Sequence, residues 1–316
     1  MLAHVELTNA VRRHDTPWVH QTTPARDEGM LRHGWDGEPD VPYLVTEDGS
    51  AVAVGFYGTS MHDNHHLAWL DLEVHPERRG RGVGSAVLAH LLAIAVDEGK
   101  TSVGLSCWDT PHGFDGFALR HGFERKAVGV NRRQYLAEVD SAVVAALHDQ
   151  ALAAASDYEL LRTQGRSDDA ELEGLAVLTA AINDAPKEGL EVDDQVFSAE
   201  RIRAYEVAQT ARGNVLHRVV ARHRETGELA GQTLVAVEGE HPAYAEQHDT
   251  SVLAAHRGHR LGALLKTEML LWLADTQPQV TEIDTWNAES NSFMIGVNEV
   301  LGYRVVGRGF DFQRSL

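Results

Sequence analysis

Residues 74–88 read VHPERRGRGVGSAVL, gathering Arg78, Arg79 and Arg81 around Gly80, Gly82 and Gly84 directly before an apolar helical run. Types and spacing point to anion binding. A strand that passes through glycines into a helix presents several N–H groups without partners, together with the positive end of the helix dipole. Glycine lets the backbone approach a phosphate or take positive φ, and arginine adds charge and directional donors. That combination suits a pyrophosphate. Two other phosphate loops fit worse: the pattern GxxxxGK[ST] is missing, and GxGxxG counted from Gly80 would need glycine where Ser85 stands. The plain alternative is that the three glycines only permit a tight strand-to-helix turn.

The elements that must hold this loop are legible on both sides of it. YLVTEDGSAVAVGFYG (43–58) reads as two strands about Glu47-Asp48-Gly49-Ser50, whose Asp-Gly step favours a tight hairpin turn. LAWLDLEV (67–74) alternates Leu70, Leu72 and Val74 against Trp69, Asp71 and Glu73, which predicts a strand with two carboxylates on one face. A helix follows from about Val83 to Glu98, with Val83, Val87, Leu91 and Ala95 on one stripe and Gly99 closing it. TSVGLSCW (101–108) is the next strand, GFDGFALRHG a short helix, and FERKAVGV with NRRQYLAEV a closing strand pair. VELTNAVRRH near the start reads as helix, with no strand before it.

The second half repeats this order. After the Ala-rich SAVVAALHDQALAAAS (141–156), YELLRT reads as a strand, with helices near 167–183 and 198–211. A hairpin over 215–239 turns at Glu225-Thr226-Gly227-Glu228. QHDTSVL is the third strand, HRGHRLGALLKTEMLLWLAD the loop and helix, VTEIDTWN a strand, SNSFMIGVNEVLG a helix and YRVVGRG the last strand. Aligning Val74 with Val252 puts Asp71 on Asp249, Arg79-Gly80 on Arg257-Gly258 and Gly84 on Gly262 without a gap. Gly122-Phe123 and Gly302-Tyr303 then fall at nearly equal distances downstream. This is an internal repeat.

Composition narrows the guest. With 47 Asp and Glu against 28 Lys and Arg, the formal net charge of −19 repels nucleic acid and anionic membrane and attracts cationic small molecules. The opening lacks an apolar core of signal-peptide length and no run reaches about 18 apolar residues, so the expectation is a soluble, cytoplasmic chain. Cys107 is the only cysteine, which excludes an internal disulfide and an all-thiolate metal site. It reads as core packing in an apolar strand, with an acyl-accepting nucleophile as the sharper alternative. His62, His65 and His66 in MHDNHH sit between strand patterns beside Asp63 and Asn64, so an exposed loop is preferred and no metal is expected.

The run from Val74 to Gly84 resembles the acetyl-CoA pyrophosphate loop of the GNAT superfamily of N-acetyltransferases, V-x-P followed by [RQ]-x-x-G-x-[GA]. The order of strands and helices agrees twice over nearly the whole chain. The resemblance implies an α/β fold of two tandem GNAT domains, each a mixed, mostly antiparallel twisted sheet flanked by helices. Domains are expected at 1–145 and 157–316, with a helical linker at 146–156. By resemblance, Leu72 to Val74 hold the pantetheine arm of acetyl-CoA, and Arg79, Gly80, Arg81, Gly82, Val83, Gly84 and Ser85 its pyrophosphate. Val252, Arg257, Gly258, Arg260, Gly262, Asn287 and Asn291 are the corresponding candidates in the second half. Arg260 replaces the middle glycine there and either crowds the phosphate or supplies a cation to it. Ala118 and Asn298 stand where the family often has a tyrosine that protonates the leaving thiolate. The first half has WDTPHG where the second has TWNAESN.

The chemistry implied is acetyl transfer to a primary amine of a small molecule. Asp71 or Glu73, and Asp249 in the second half, could take the amine proton directly or through water. The alternative for each is a solvated or salt-bridged strand carboxylate. A β-bulge, frequent in this strand of the family, would exchange the two faces. Trp69 and Trp286 either line a pocket or pack near strand ends. Two further functions stay open: a catalytically weak CoA-binding or scaffolding protein, and protein N-terminal or lysine acetylation. Nothing in the sequence identifies the acceptor or the oligomeric state.

Overall fold

The structure, a computed structural model, describes residues 1–112 and 114–316, with Ser292 and Phe293 described in the backbone alone. The chain forms two compact units. Unit 1 comprises residues 1–130, 187–195 and 307–316, and unit 2 comprises residues 131–186 and 196–306.

Unit 1 begins with helices α1 (Leu2–Asp15) and α2 (Pro24–His33), then strands β1 (Val41–Glu47), β2 (Ser50–Gly58) and β3 (Leu67–Val74). Helix α3 (Val83–Asp97), strand β4 (Ser102–Trp108) and helix α4 (Asp115–Arg120) follow. The turn between β1 and β2 has positive φ at Asp48 (50°) and Gly49 (80°), the geometry a two-residue hairpin requires. β2 runs antiparallel to β1 and β3, while β3 and β4 are parallel. Leu70, Leu72 and Val74 join Val87, Leu88, Leu91, Val103 and Phe123 in one core beneath α3. Gly55 is needed there, because a Cβ would come within 2.8 Å of Val87. By strand alternation Asp71 and Glu73 face the other way, toward α1.

Unit 2 contains α5 (Ser141–Ala154), β6 (Tyr158–Gln164), α6 (Leu172–Ala180), α7 (Ala199–Ala211), β7 (Val215–His223), β8 (Leu229–Val237) and β9 (Tyr244–Val252). It continues through α8 (Leu261–Thr276), β10 (Glu282–Ala288) and α9 (Ser292–Val300). β6, β7, β8 and β9 are successively antiparallel, and β9 and β10 are parallel. Leu264, Leu265, Met269 and Leu273 of α8 bury one face of this sheet.

Three expectations are corrected. The closing strand pair is one strand, β5 (Glu124–Tyr135), which runs on through Gly129 and Asn131 without turning. Its first part belongs to unit 1, but Asn131 onward belongs to unit 2, where Arg133 donates to both oxygens of Asp284 at 2.6 and 2.9 Å. The last strand, β11 (Arg304–Ser315), leaves unit 2 after Val306 and pairs antiparallel with β4 in unit 1, from Gly309 opposite Trp108 to Ser315 opposite Ser102. Phe312, fully buried, fills the unit 1 core. The boundaries 1–145 and 157–316 therefore do not describe the compact units, since each unit takes its final strand segment from the other half of the chain. Finally, 146–156 is no linker: Val144, Ala151 and Ala155 on and after α5 are buried in the core of unit 2.

Candidate active site

The parallel pairing of β3 with β4 covers Leu67–Leu70 against Ser102–Leu105 and then stops, while β3 stays paired with β2 as far as Val74. The edge of Asp71–Val74 that would face β4 is thus left without a strand. An extended amide-bearing ligand can occupy such an edge with main-chain hydrogen bonds. Unit 2 opens in the same way, β9 pairing with β10 only from Tyr244 to Gln247.

The glycine loop follows β3. Gly80 (φ 73°) and Gly82 (φ 84°) take left-handed conformations, and no atom lies within 4 Å of where a Cβ would stand on either. Helices α2, α5, α7 and α9 start on side-chain caps from Thr23, Asp140, Ser198 and Asn291. Helix α3 starts on Gly82 with no side-chain cap and no acidic residue in its first turn. Its first N–H groups stay available to an anion, and the open space over the glycines fits a phosphate group.

Arg79 does something else. Its Nε donates to the Val74 carbonyl at 3.0 Å, and its two terminal nitrogens donate to the Asp15 carboxylate at 2.9 and 2.6 Å. Its side chain is thus a strut between β3 and the end of α1, and only its main chain remains for the loop. Burial pushes the Asp15 carboxyl up, but hydrogen bonds from Arg79 and His14 outweigh that and hold it below the usual range. Arg81 is exposed and, among the described residues, makes no ion pair. The Ser85 hydroxyl lies 3.0 Å from His121 Nε2. His14, Asp15 and His112 bring three ligand-type groups within 4.8 Å of one another, but Arg79 already occupies both Asp15 oxygens.

Asp71 and Glu73 lie on the open part of β3. Burial pushes Glu73 up to about 7, and the neighbouring Asp71 charge adds to this against a hydrogen bond from Thr8. Asp71 is accessible to water yet ringed by protein; burial, then the Asp40 charge, raise its carboxyl against the lowering effect of the Leu72 N–H and Arg12. Asp40 is itself raised by burial. A carboxyl near 7 is matched to taking a proton at neutral pH. Thr8, His4, Arg12, Asp27 and Asp40 carried no signal in the sequence, because helix and loop residues meet this strand face only in three dimensions.

Unit 2 keeps the frame and alters the contents. Arg257 Nε donates to the Val252 carbonyl at 3.2 Å and its terminal nitrogen pairs with Asp184, repeating the strut. Gly258 has φ 90°, and Arg260 holds the left-handed position of Gly82 at φ 57°. Its guanidinium donates to Gln150 of α5 at 3.3 Å. Gly262 is buried in the first turn of α8, which also lacks a side-chain cap. Asp249 accepts from Gln232 (2.8 Å) and Ser251 (3.0 Å), and burial raises its carboxyl. The serine stands where unit 1 has Glu73. A bulge at His248 interrupts the β8–β9 register, whereas β2 and β3 pair without interruption from Gly58–Trp69 to Ala53–Val74. The Tyr205 hydroxyl bonds His248 Nδ1.

The remaining candidates are mainly structural. Asn291 caps α9 through the Met294 N–H, and Asn287 accepts from Asn298 at 2.8 Å. Ala118 and Asn298 are fully buried. Burial pushes the Cys107 thiol up to about 12, which favours its packing role over that of a nucleophile. Trp69 packs over Gly104, where a Cβ would meet its ring at 2.6 Å, and Trp286 is half exposed. His62 and His66 face Glu38 and Asp193 at 3.5 Å. Gly113 of WDTPHG lies outside the described residues.

Residues 7–123 match the acetyltransferase (GNAT) family. That stretch reads as a GNAT acetyltransferase domain. Its fold is of the tandem GNAT type: it is 26% identical to a tandem GNAT protein from the clavulanic acid biosynthesis pathway, with a TM-score of 0.81 over 99% of this chain and 94% of that one. A GCN5-related N-acetyltransferase from Sphaerobacter thermophilus shares the fold at 14% identity, TM-score 0.66, covering 99% and 91% of the two chains. A glucosamine N-acetyltransferase region of a fungal multi-domain β-N-acetylglucosaminidase does so at 12% identity and TM-score 0.66, covering 98% of this chain and 37% of that one. No curated protein matches the sequence significantly. A GNAT domain implies acyl-CoA-dependent acetyl transfer, with acetyl-CoA as the family's co-substrate. No helix among the described residues is long and apolar enough to cross a membrane.

Proposed function

We propose that the protein transfers an acetyl group from acetyl-CoA directly to a primary amine of a small, cationic molecule in the cytoplasm, and that unit 1 carries the reaction. The observation that supports this most is the place of Glu73 on the open edge of β3 beside Asp71, where burial raises its carboxyl to about 7. The uncapped start of α3 and the main chain of Gly80–Ser85 would hold the pyrophosphate, with Arg81 at its side. Leu72–Val74 would hold the pantetheine arm. Acetyl-CoA brings the activated thioester. Glu73 takes the amine proton, and Asp71 with Asp40 draws the cationic acceptor. Asp249, tied to Gln232 and Ser251, is the weaker candidate base.

The test is CoA release from acetyl-CoA over propane-1,3-diamine, spermidine, glucosamine and benzylamine. Turnover should rise through about pH 7 as Glu73 loses its proton. Glu73→Gln should remove that limb and lower kcat about a hundredfold, leaving acetyl-CoA affinity nearly unchanged. Asp71→Asn should act mainly on acceptor KM. Ala118 and Asn298, buried where the thiolate acid is usual, favour a second reading, a CoA-binding protein with little turnover. Acetyl-CoA binding with no CoA release from any amine, or from exposed peptides examined by mass spectrometry, would select it.

A further inference from the structure

Behind Glu73 stands a line of polar side chains. Thr8 Oγ1 donates to Glu73 Oε2 at 2.7 Å, His4 Nε2 lies 3.4 Å from the same hydroxyl, and His4 Nδ1 lies 2.7 Å from Asp27 Oδ2. His4 and Thr8 are one helical turn apart on α1, so they stack on one face, and Asp27 meets them from α2. All three are less than a tenth exposed. Thr8 satisfies Glu73 and Asp27 satisfies His4 Nδ1, which leaves His4 Nε2 beside the Thr8 hydroxyl.

We infer that Asp27, His4 and Thr8 form a relay that receives the proton Glu73 takes from the acceptor amine. This rests on the reading of Glu73 as the base. Asp27, an acceptor, fixes the His4 proton on Nδ1 and leaves the Nε2 lone pair facing Thr8. The amine N–H bond breaks as a Glu73 O–H bond forms. The Thr8 hydroxyl then turns its single hydrogen from Glu73 to His4 Nε2, so that the Glu73 proton passes to Thr8 Oγ1 while Thr8 passes its own hydroxyl proton to His4 Nε2. Glu73 is again a carboxylate, Thr8 is again a hydroxyl, and the imidazolium faces the Asp27 carboxylate. The charged groups around Glu73 are Asp71 on its own strand, and Arg12 and His4 on α1; Asp27 on α2 acts through His4. The His4 ring also packs on Phe56 of β2, 5.5 Å between centroids, which fixes its plane.

The test is an NMR titration of the full chain, following the Glu73 carboxyl carbon and the His4 ring in wild type, Thr8→Val and Thr8→Ser. The two groups should titrate as a coupled pair in wild type, each curve carrying the inflection of the other. In Thr8→Val the shared inflection should vanish and the Glu73 midpoint should rise by about half a unit to one unit, because a donor to the charged form is lost. Thr8→Ser should restore both. With the best amine of the panel, Thr8→Val should lower kcat about tenfold at unchanged KM. If Thr8→Val fails to fold, His4→Gln interrupts the same line from the other end and should also erase the inflection. Independent titration in wild type overturns the relay, as does a Thr8→Val protein with unaltered curves and kcat. In both cases a large loss of rate in Glu73→Gln leaves the base in place, whereas full rate in Glu73→Gln removes the base and the relay with it.

Discussion

Arg79 in unit 1 and Arg257 in unit 2 make the same two contacts, one to the last carbonyl of a strand and one to an aspartate at the end of a helical segment. Their surroundings differ. The Asp15 side chain is 4% exposed and doubly bonded to Arg79, whereas the Asp184 side chain is 52% exposed. The same motif is therefore a buried pillar in one unit and a surface pair in the other. Beside the pillar, unit 1 keeps Asp71 with Glu73; beside the surface pair, unit 2 keeps Asp249 with Ser251. Glycine loop, open strand edge and uncapped helix occur twice, and the raised carboxylate pair once. Both units thus keep the frame of the glycine loop, and one of them keeps the raised carboxylate pair.

The largest expected effect separates the two struts. Asp15→Asn should destabilise the protein by about 3 kcal/mol, because it leaves a mostly buried guanidinium without its charge partner. Asp184→Asn should cost less than about 1 kcal/mol, as exposed pairs do. Urea unfolding of both variants measures the contrast, and equal losses would break the comparison. The sign of the pH dependence follows from Asp15 being lowered in the folded state. Its contribution is present above about pH 4, the unfolded value, and is lost as pH falls through the folded one. Asp15→Asn should lack that acid limb.

Glu73 should behave in the opposite sense. A carboxyl raised to about 7 favours folding below its unfolded value and loses that contribution as pH rises through the folded value. Glu73→Gln should therefore be more stable than wild type at pH 8, on the order of 1–2 kcal/mol, with the gain vanishing near pH 4. Ser251→Glu, which copies Glu73 into unit 2, should lose stability at pH 8. Thermal melts at the two pH values decide both. No change in either variant would mean that the two strand faces are equivalent environments.

The elements around the glycine loop were legible because each carries a local signal: Asp48-Gly49 for the hairpin, alternation in β3, the apolar stripe of α3 and Gly99 at its end. The repeat was legible because Val74 and Val252 align without a gap through both loops. The exchange of final strand segments was not. β5 and β11 each read as an ordinary strand, and nothing local in Asn131 or Gly307 says which unit its neighbours belong to. The bulge at His248 was hidden for a similar reason, since one extra residue upstream of Asp249 leaves the downstream alignment intact. In the site, Asp71 and Glu73 were visible by strand alternation. Their partners Thr8, His4, Asp27 and Asp40 were not, because they are contributed by helices and a loop far away in sequence. The tie of the Arg79 side chain was hidden for the same cause, since Asp15, its partner, lies 64 residues earlier.

A smaller effect is expected at the middle loop position. Gly82→Arg copies Arg260, and no atom within 4 Å obstructs it, so its local cost is the left-handed backbone, about 1 kcal/mol. Arg260 rests on Gln150 of α5, whereas the space over Gly82 is open. An arginine at position 82 would lack that rest and swing over the loop. Acetyl-CoA affinity should fall about tenfold, equivalent to about 1.4 kcal/mol, by calorimetry. Arg260→Gly should raise affinity in unit 2 by less than that. If Gly82→Arg binds unchanged, glycine at this position is not what distinguishes the two loops.

The smallest expected effect concerns the acceptor. Asp71, Glu73 and Asp40 gather on one side of unit 1, where Arg12 offsets the charge of Asp71 and Glu73 in part. The chain as a whole carries −19. A field of that sign concentrates cations near these carboxylates and is screened beyond about 8 Å at physiological ionic strength. Spermidine and propane-1,3-diamine should then show acceptor KM values that rise about two- to threefold between low and physiological salt. Benzylamine, with no charge beyond the reacting nitrogen, should respond less. Asp71→Asn should flatten the dependence for the diamines, whereas Asp249→Asn should leave it alone, because Asp249 is already held by Gln232 and Ser251. A KM that ignores salt for every amine would assign the excess acidic residues to solubility alone. An equal response to both substitutions would assign acceptor recognition to the two units alike.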